Sequence, residues 1–103
     1  MATKLTVERR VVPGNQEELA ELLRELRSAA VLQPGFISGE TVIDAFNPTI
    51  FMTISTWAGI GAWQDWERNA DRHAIVARIN ALLQGTPMIR VWVDSADAPP
   101  AAV

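Results

Sequence analysis

The sequence predicts an α+β domain whose elements follow the order β-α-β-β-α-β. Alternating, β-rich segments near residues 4–12, 36–57 and 88–93 predict the strands, and apolar stripes at helical spacing between them predict the helices. Pro-Gly and Asn-Pro pairs mark the breaks between segments. Because 103 residues suit one domain, we expect a single domain over residues 1–95 and a flexible tail over residues 96–103.

The first half of the chain predicts a strand, a helix and a hairpin. Residues 4–12 alternate between apolar and polar side chains and end at a Pro-Gly pair. The helix that follows ends before Pro34. It presents leucines at i, i+3, i+4 and i+7, namely Leu19, Leu22, Leu23 and Leu26. Strands over residues 36–46 and 49–57 flank an Asn-Pro pair, so we expect them to form a hairpin.

The second half predicts two helical segments and a last strand. Ile60, Trp63 and Trp66 are expected to share one side of a short helix. Asn69 can cap a second helix. The apolar stripe of that helix consists of aliphatic residues at i, i+4, i+7 and i+8, namely Ile75, Ile79, Leu82 and Leu83. Residues 88–93 form the final strand.

This order is the split β-α-β arrangement of ferredoxin-like folds, with four antiparallel strands and the helices on one face. The other face is expected to mix polar and apolar side chains. They are Glu8, Arg10, Glu40, Asp44, Thr53, Ser55 and Arg90 with Phe36, Val42, Phe46, Phe51 and Trp92. Such a face is too apolar to remain in water, which predicts a homodimer through the sheets. The alternative is an open, solvated sheet.

Composition narrows the classes of function. A net charge of -3 argues against nucleic acid as a partner. With no cysteine and one histidine, the chain offers no disulfide, thiolate or multi-histidine metal site, and it has no glycine motif for phosphates, so we expect neither metal nor cofactor. No run approaches the roughly 20 apolar residues that span a bilayer. The N-terminus lacks the apolar segment of a signal peptide, so we expect a cytoplasmic protein without a membrane partner.

Three tryptophans are candidate binding residues. Trp57 closes the third strand, and Trp63 and Trp66 follow on the next helix, about 60° apart. These side chains could form a flat apolar wall that stacks an aromatic ring, or they could simply fill the space between helix and sheet.

Two ionisable residues follow on the last helix. Arg72 projects within about 60° of Ile75, inside the apolar stripe, where a charge is costly without a partner. It could bind a carboxylate or phenolate in a pocket, or extend its guanidinium into solvent at the helix start. His73 lies at the edge of the stripe and could act as a general base or remain a surface residue.

Four short motifs occur in a recognisable order. They are Pro34-Gly35-Phe36 before the second strand, Thr56-Trp57 at the end of the third, residues 66–72 at the helix break and Val91-Trp92-Val93 in the last strand. Together they resemble the antibiotic biosynthesis monooxygenase family over about residues 4–93. The resemblance implies a dimeric α+β barrel with a pocket between helices and sheet in each subunit. Members include cofactor-independent monooxygenases of polyketide phenols, quinol monooxygenases and haem-degrading enzymes.

Only some of the family's site residues have a counterpart in this sequence. The polyketide enzymes have an Asn where this chain has Thr53, and a Tyr where it has Trp63. Arg78 is the nearest match to the Arg of their last helix. Haem-degrading members have an Asn in the first strand and a His ten residues after the helix Trp. This chain has no Asn in that strand, and Val76 stands ten residues after Trp66, so haem degradation is disfavoured.

The resemblance therefore implies a cofactor-independent monooxygenase that inserts oxygen into a phenol, hydroquinone or polyketide-like aromatic. The side chains implied to contact this small aromatic substrate are Thr53, Trp57, Trp63 and Trp66. Those implied to stabilise its anion or to act as a base are Arg72, His73 and Arg78. The expected partners are the substrate, oxygen and a second copy of the chain. The alternative, which Thr53 favours, is a non-catalytic dimeric module that binds a small apolar ligand.

Overall fold

A computed structural model describes residues 1–98 of the chain. The elements in chain order are β1 (Thr3–Arg10), α1 (Gln16–Ala30), β2 (Phe36–Ile43), β3 (Ile50–Trp57), α2 (Ile60–Glu67), α3 (Ala70–Asn80) and β4 (Met88–Val93). A short 3-10 turn, Ser95–Asp97, follows β4. Residues 99–103, which make up most of the predicted flexible tail, lie outside the described residues. Within the described part of the chain, no helix is long and apolar enough to cross a membrane.

The four strands form one antiparallel sheet in the order β2-β3-β1-β4, and the three helices cover one of its faces. This arrangement confirms the predicted α+β class and the ferredoxin-like order of elements. Strand β2 ends at Ile43, before the predicted Phe46. The reason is local, because the Asp44 carboxylate accepts hydrogen bonds from the backbone N–H groups of Phe46 and Asn47 and turns the chain early.

Helices α2 and α3 are separated where the sequence predicted. The Asn69 side chain accepts a hydrogen bond of 3.1 Å from the backbone N–H of Arg72, as expected of an N-cap. Trp63 and Trp66 are buried on the inner side of α2. Ile60 is 44% exposed, so the prediction that it faces inward with them is wrong. It is the first residue of α2, one turn before Trp63, where the helix begins.

Buried apolar side chains between the helices and the sheet form two clusters. The tryptophan cluster consists of Leu5, Val7, Ala30, Trp57, Trp63 and Trp66. The aliphatic cluster consists of Val11, Leu19, Leu22, Leu23, Phe51, Ile75 and Ile79. The inward-facing row of β1 contributes to both clusters, and Arg9 lies in this row between Val7 and Val11. The core is therefore interrupted by a charged side chain.

The predicted composition of the helix-free face is wrong in one respect. Thr53 and Ser55 are directly opposite Val7 and Leu5 in the β1–β3 ladder, and residues directly opposite share a face of the sheet. These two hydroxyl residues, with Phe36 and Phe51, therefore belong to the helix-covered face. Side chains alternate between the two faces of a strand. The sequence of one strand does not show which alternate set faces the helices, because that depends on how distant strands pair.

The helix-free face keeps four of the five charged side chains that were assigned to it, because Asp44 lies in the turn after β2. Residues paired across its strands include Glu8, Arg10, Glu40, Val42, Arg90 and Trp92. Trp92 is 48% exposed, and its indole N–H donates to the Thr6 hydroxyl at 2.9 Å. Without a partner, this face leaves a large aromatic side chain in water.

Gly35 joins the first helix to β2 and sets how closely α2 approaches the sheet. Its φ of +84° lies in the left-handed region that favours glycine. A Cβ at this position would lie 2.6 Å from the Cβ of Ala62 on α2. The Gly35 carbonyl also accepts a 2.7 Å hydrogen bond from the N–H of Ala58. A side chain here would push α2, with Trp63, away from the sheet.

We expect Gly35→Ala to destabilise the domain more than Gly14→Ala. Gly14 also has a positive φ, +99°, but a Cβ there meets no atom within 4 Å. Gly14→Ala should therefore cost only the left-handed backbone penalty, about 1–2 kcal/mol. Gly35→Ala adds the clash with Ala62. Thermal denaturation followed by circular dichroism measures the loss of Tm in each variant. For a domain of this size, each kcal/mol of lost stability lowers Tm by roughly 4–8 °C. Equal losses in the two variants would contradict the close approach of α2.

Candidate functional site

A cavity of about 70 Å³ lies on the helix-covered face, where β1, β2 and β3 meet the helices. Its aromatic lining consists of Phe36, Trp57, Trp63 and Trp66. Its buried or half-buried polar lining consists of Arg9, Thr53, Ser55 and Arg72. Because the strands and helices hold these side chains in place from opposite sides, the cavity is part of the folded core and does not depend on a loop.

The tryptophans meet at one side of this cavity. The Trp57 ring stacks on Trp66, with centroids 6.1 Å apart and planes at 25°, and meets Trp63 edge-on at 6.4 Å. Phe36 makes a further edge contact with Trp57 at 5.3 Å. The indole N–H of Trp57 donates to the Ser55 hydroxyl at 3.0 Å, which satisfies its polar group in the core. The rings fill the core and also line the cavity, so their geometry is compatible with both roles considered for them.

Arg72 points into the cavity and not into solvent. Its guanidinium carbon lies 5.2 Å from the centroid of the Trp63 ring, within the range of a cation–π contact. Its Nη1 donates to the backbone carbonyl of Glu67 at 3.4 Å. Burial lowers the pKa of Arg72, and the Glu67 carboxylate acts in the opposite direction. Of the two orientations considered for Arg72, the structure therefore shows the one inside the pocket.

Arg9 is the residue that the sequence analysis missed. It is 3% exposed, and its Nη1 donates to the Thr53 hydroxyl at 3.2 Å. Its Nε–H is buried and has no hydrogen-bond partner among the described residues. Burial, followed by the positive charge of Arg72, lowers the pKa of Arg9 to about 10, so it stays protonated at neutral pH. The signal was available, because Arg9 continues the alternating row of Leu5 and Val7.

The two buried guanidiniums, those of Arg9 and Arg72, bring positive charge into the cavity and form no ion pair in the described part of the chain, while the exposed Glu40 lines the cavity without contacting either of them at ion-pair distance. In the described part of the chain, the ion pairs are Arg68 with Asp65 and Arg78 with Glu25, all on the surface. A buried cation without an anion is unfavourable, because it loses hydration that nothing replaces. An anionic ligand would supply the missing charge, so the cavity is chemically suited to a flat aromatic molecule with an ionised group.

Two of the predicted catalytic residues lie away from this cavity. His73 is exposed, and its Nε2 lies 2.7 Å from the carbonyl oxygen of Glu67. Arg78 is exposed, and its Nη1 donates to the Glu25 carboxylate of α1 at 3.0 Å. Neither side chain lines the cavity. The structure thus brings together Thr53, the tryptophans and Arg72, adds Arg9, and leaves His73 and Arg78 on the surface.

Solved structures with the same fold span nearly the whole chain. A conserved protein from Methanosarcina mazei Go1 is 18% identical over 89% of this chain and 91% of its own, with a TM-score of 0.85. SnoaB, a cofactor-independent oxygenase from Streptomyces nogalater, is 16% identical over 97% of this chain and 100% of its own, with a TM-score of 0.81. An antibiotic biosynthesis monooxygenase is 20% identical over 95% and 99%, also with a TM-score of 0.81. At these identities the likeness shows the fold alone.

Sequence comparison is more specific about the family. No curated protein matches the sequence significantly. The sequence model described as antibiotic biosynthesis monooxygenase matches residues 4–78, from β1 into α3. That segment contains every aromatic and polar side chain named above as lining the cavity. The chain belongs to the antibiotic biosynthesis monooxygenase family.

Proposed function

We propose that this protein is a cofactor-independent monooxygenase that oxidises a phenol or hydroquinone with molecular oxygen. The observation that carries the proposal is the cavity in which flat tryptophan walls meet two guanidiniums without carboxylate partners. Membership of the family and a fold shared with SnoaB, described as a cofactor-independent oxygenase, support it. Such chemistry needs a site that holds an aromatic ring as its anion and keeps bulk water out.

The reaction balances with oxygen as the only oxidant. The phenol loses its proton to solvent, and the phenolate transfers one electron to oxygen. The resulting radical and superoxide combine, forming a C–O bond at a hydrogen-bearing ring carbon ortho to the phenolate oxygen. The peroxide takes up a proton. The O–O bond then breaks as that carbon loses its hydrogen as a proton, which leaves a quinone and water. Four electrons leave the substrate and oxygen accepts all four.

The residues around the cavity would act on the first step of this sequence. Trp63 and Trp66 would hold the ring, because aromatic pairs contribute roughly 0.5–1.5 kcal/mol beyond the burial of area. Arg72, which lies over Trp63, would favour the phenolate and so lower the substrate's pKa. Thr53 and Ser55 offer hydroxyl groups for a second oxygen of the substrate. No step requires a protein-bound metal or organic cofactor.

The size of the cavity favours the smaller of the predicted substrates. Its volume of about 70 Å³ is well below the roughly 300–1,000 Å³ of pockets for drug-sized ligands. A single-ring phenol or hydroquinone therefore suits the site better than a polycyclic polyketide.

A second candidate function is a non-catalytic module that binds the same kind of ligand. The surface position of His73 favours it, because the one histidine of the chain is then no proton acceptor for a ligand in the cavity. The two candidates share the ligand and differ in whether oxygen is consumed, so one experiment separates them.

We expect purified protein to consume oxygen with a single-ring hydroquinone, without added cofactor. Trp63→Leu should raise KM several-fold, because it removes the stacking surface. Arg72→Gln should lower kcat at neutral pH about tenfold or more, because an adjacent cation lowers a pKa by about 1–3 units. Arg68→Gln is the matched control, since Arg68 is exposed and pairs with Asp65. An oxygen electrode measures all four proteins against the spontaneous rate.

The pH profile tests the role given to Arg72. A cation holds the phenol pKa down, so wild-type activity should rise at a lower pH than that of Arg72→Gln, by about one unit or more. The other charged side chains that line the cavity are unchanged in this variant, namely Arg9 on β1, Arg27 on α1 and Glu40 on β2. Ring binding without oxygen uptake would favour the binding module. Coincident pH profiles would contradict the role of Arg72.

We also propose that two copies associate through the helix-free faces of their sheets. Val42 on β2 and Met88 on β4 are 39% and 52% exposed on this face, which also carries the half-exposed Trp92. Glu8 and Arg10 of opposite sign lie on the same face, so a two-fold arrangement can pair charges across the interface. Packing of the two sheets would remove the apolar side chains from water.

Light scattering should therefore give twice the monomer mass of 11.3 kDa. Trp92→Glu should shift the protein toward the monomer, because a carboxylate cannot be buried without a partner. Leu32→Ser is the control, since Leu32 is 81% exposed in the loop after α1 and away from the sheet. A folded wild-type monomer across the whole dilution series would refute the proposed dimer.

A further inference from the structure

The environment of Arg9 is not that of a structural arginine. Its side chain occupies the inward-facing row of β1 between Val7 and Val11, where an apolar side chain would join the two core clusters. Its one side-chain hydrogen bond among the described residues is to Thr53, and the buried Nε–H is left without a partner. Such a group costs free energy in the folded protein unless something else binds it.

The position of the unused donor indicates what would bind. With Nη1 directed to Thr53, the opposite edge of the planar guanidinium, formed by Nε and Nη2, can donate two parallel hydrogen bonds to a ligand that displaces the side chains covering Nε. A carboxylate has two oxygens at the matching separation, and arginine binds carboxylates in this bidentate manner. A neutral hydroxyl would take only one of the two donors and would bring no charge.

The cavity limits the kind of carboxylate. Arg9 lines the same space as the tryptophan rings, so the acid must be attached to a flat apolar group. The volume of about 70 Å³ admits one ring more readily than a larger skeleton. Arg72 supplies a second positive charge over Trp63, which is available to a second ionised oxygen on the same ring.

We propose that Arg9 binds a carboxylate and that the substrate is a single-ring aromatic acid, a hydroxybenzoate in chemical class. The choice of substrate class rests on the proposed oxygenase function, whereas binding of the carboxylate by Arg9 does not. Arg9 anchors the acid group, and Arg72 faces the hydroxyl group that ionises. The tryptophans stack the ring between these two charges.

Binding of benzoate, compared with benzyl alcohol, tests the anchor without any turnover. The two probes share the ring and differ in charge. Isothermal titration calorimetry should show benzoate binding about tenfold more tightly or better, as expected of hydrogen bonds between charged groups. In Arg9→Met the preference should disappear while benzyl alcohol binds as before. Arg68→Gln, on the surface, should keep the preference.

Thermal denaturation separates a binding role from a structural one. Arg9→Met removes the unpaired buried cation and keeps an unbranched apolar side chain in place of its methylene stem, so its Tm should equal or exceed that of the wild type. Arg9→Lys keeps the charge but lacks the planar edge, so it should bind benzoate more weakly than the wild type. This second variant keeps the test valid if Arg9→Met fails to fold.

Several outcomes would overturn the proposal. They are equal binding of benzoate and benzyl alcohol, a benzoate preference that survives in Arg9→Met, full affinity in Arg9→Lys, and tighter binding of inorganic phosphate than of benzoate. Oxygen uptake with hydroquinone and with 2,5-dihydroxybenzoate distinguishes a wrong substrate class from the absence of oxygenase activity. Faster turnover of hydroquinone would overturn the acid substrate and leave the oxygenase intact. Selective benzoate binding without any oxygen uptake would support the Arg9 anchor and remove the oxygenase.

Discussion

The cavity depends on one constraint, a charged side chain within the buried row of the central strand. Strand β1 lies inside the sheet, between β3 and β4. Its inward-facing residues are buried under the helices along the whole strand. Val7 packs in the tryptophan cluster and Val11 in the aliphatic cluster. The guanidinium of Arg9 cannot pack between them as an apolar group would, so a polar space remains there, and the two clusters are bridged on the helix side by Leu26 and Ala29 of α1.

The order of elements could be read from the sequence because the signals for it are local. Helical spacing of leucines, the Asn69 cap and the turn after β2 each involve residues close together in the chain. Local sequence did not show which alternate residues of each strand face the helices. Thr53 was assigned to the helix-free face, and only its pairing with Val7, far away in sequence, places it toward the helices.

The candidate site was predicted in part for the same physical reason. The tryptophans and Arg72 are marked by the periodicity of their own helices, and the structure brings them together. The position of a residue around its helix does not show which distant side chain it contacts. The pairing of Arg78 with Glu25, 53 residues earlier, could therefore not be predicted from local sequence. Arg9 was overlooked because Arg9-Arg10 resembles the polar end of a strand, although the alternation from Leu5 and Val7 continues through it.

The distribution of the four tryptophans gives the molecule two separate optical reporters. Three of them, all at most 4% exposed, lie in contact around the cavity, and the fourth, Trp92, is half exposed on the opposite face of the sheet. With no tyrosine in the chain, ultraviolet emission comes almost entirely from indoles. Because buried indoles emit at shorter wavelength than hydrated ones, we expect the buried group to report occupancy of the cavity and Trp92, at longer wavelength, to report coverage of the open sheet. The proposed ligand binding and self-association would then be followed separately by the fluorescence of one unlabelled protein.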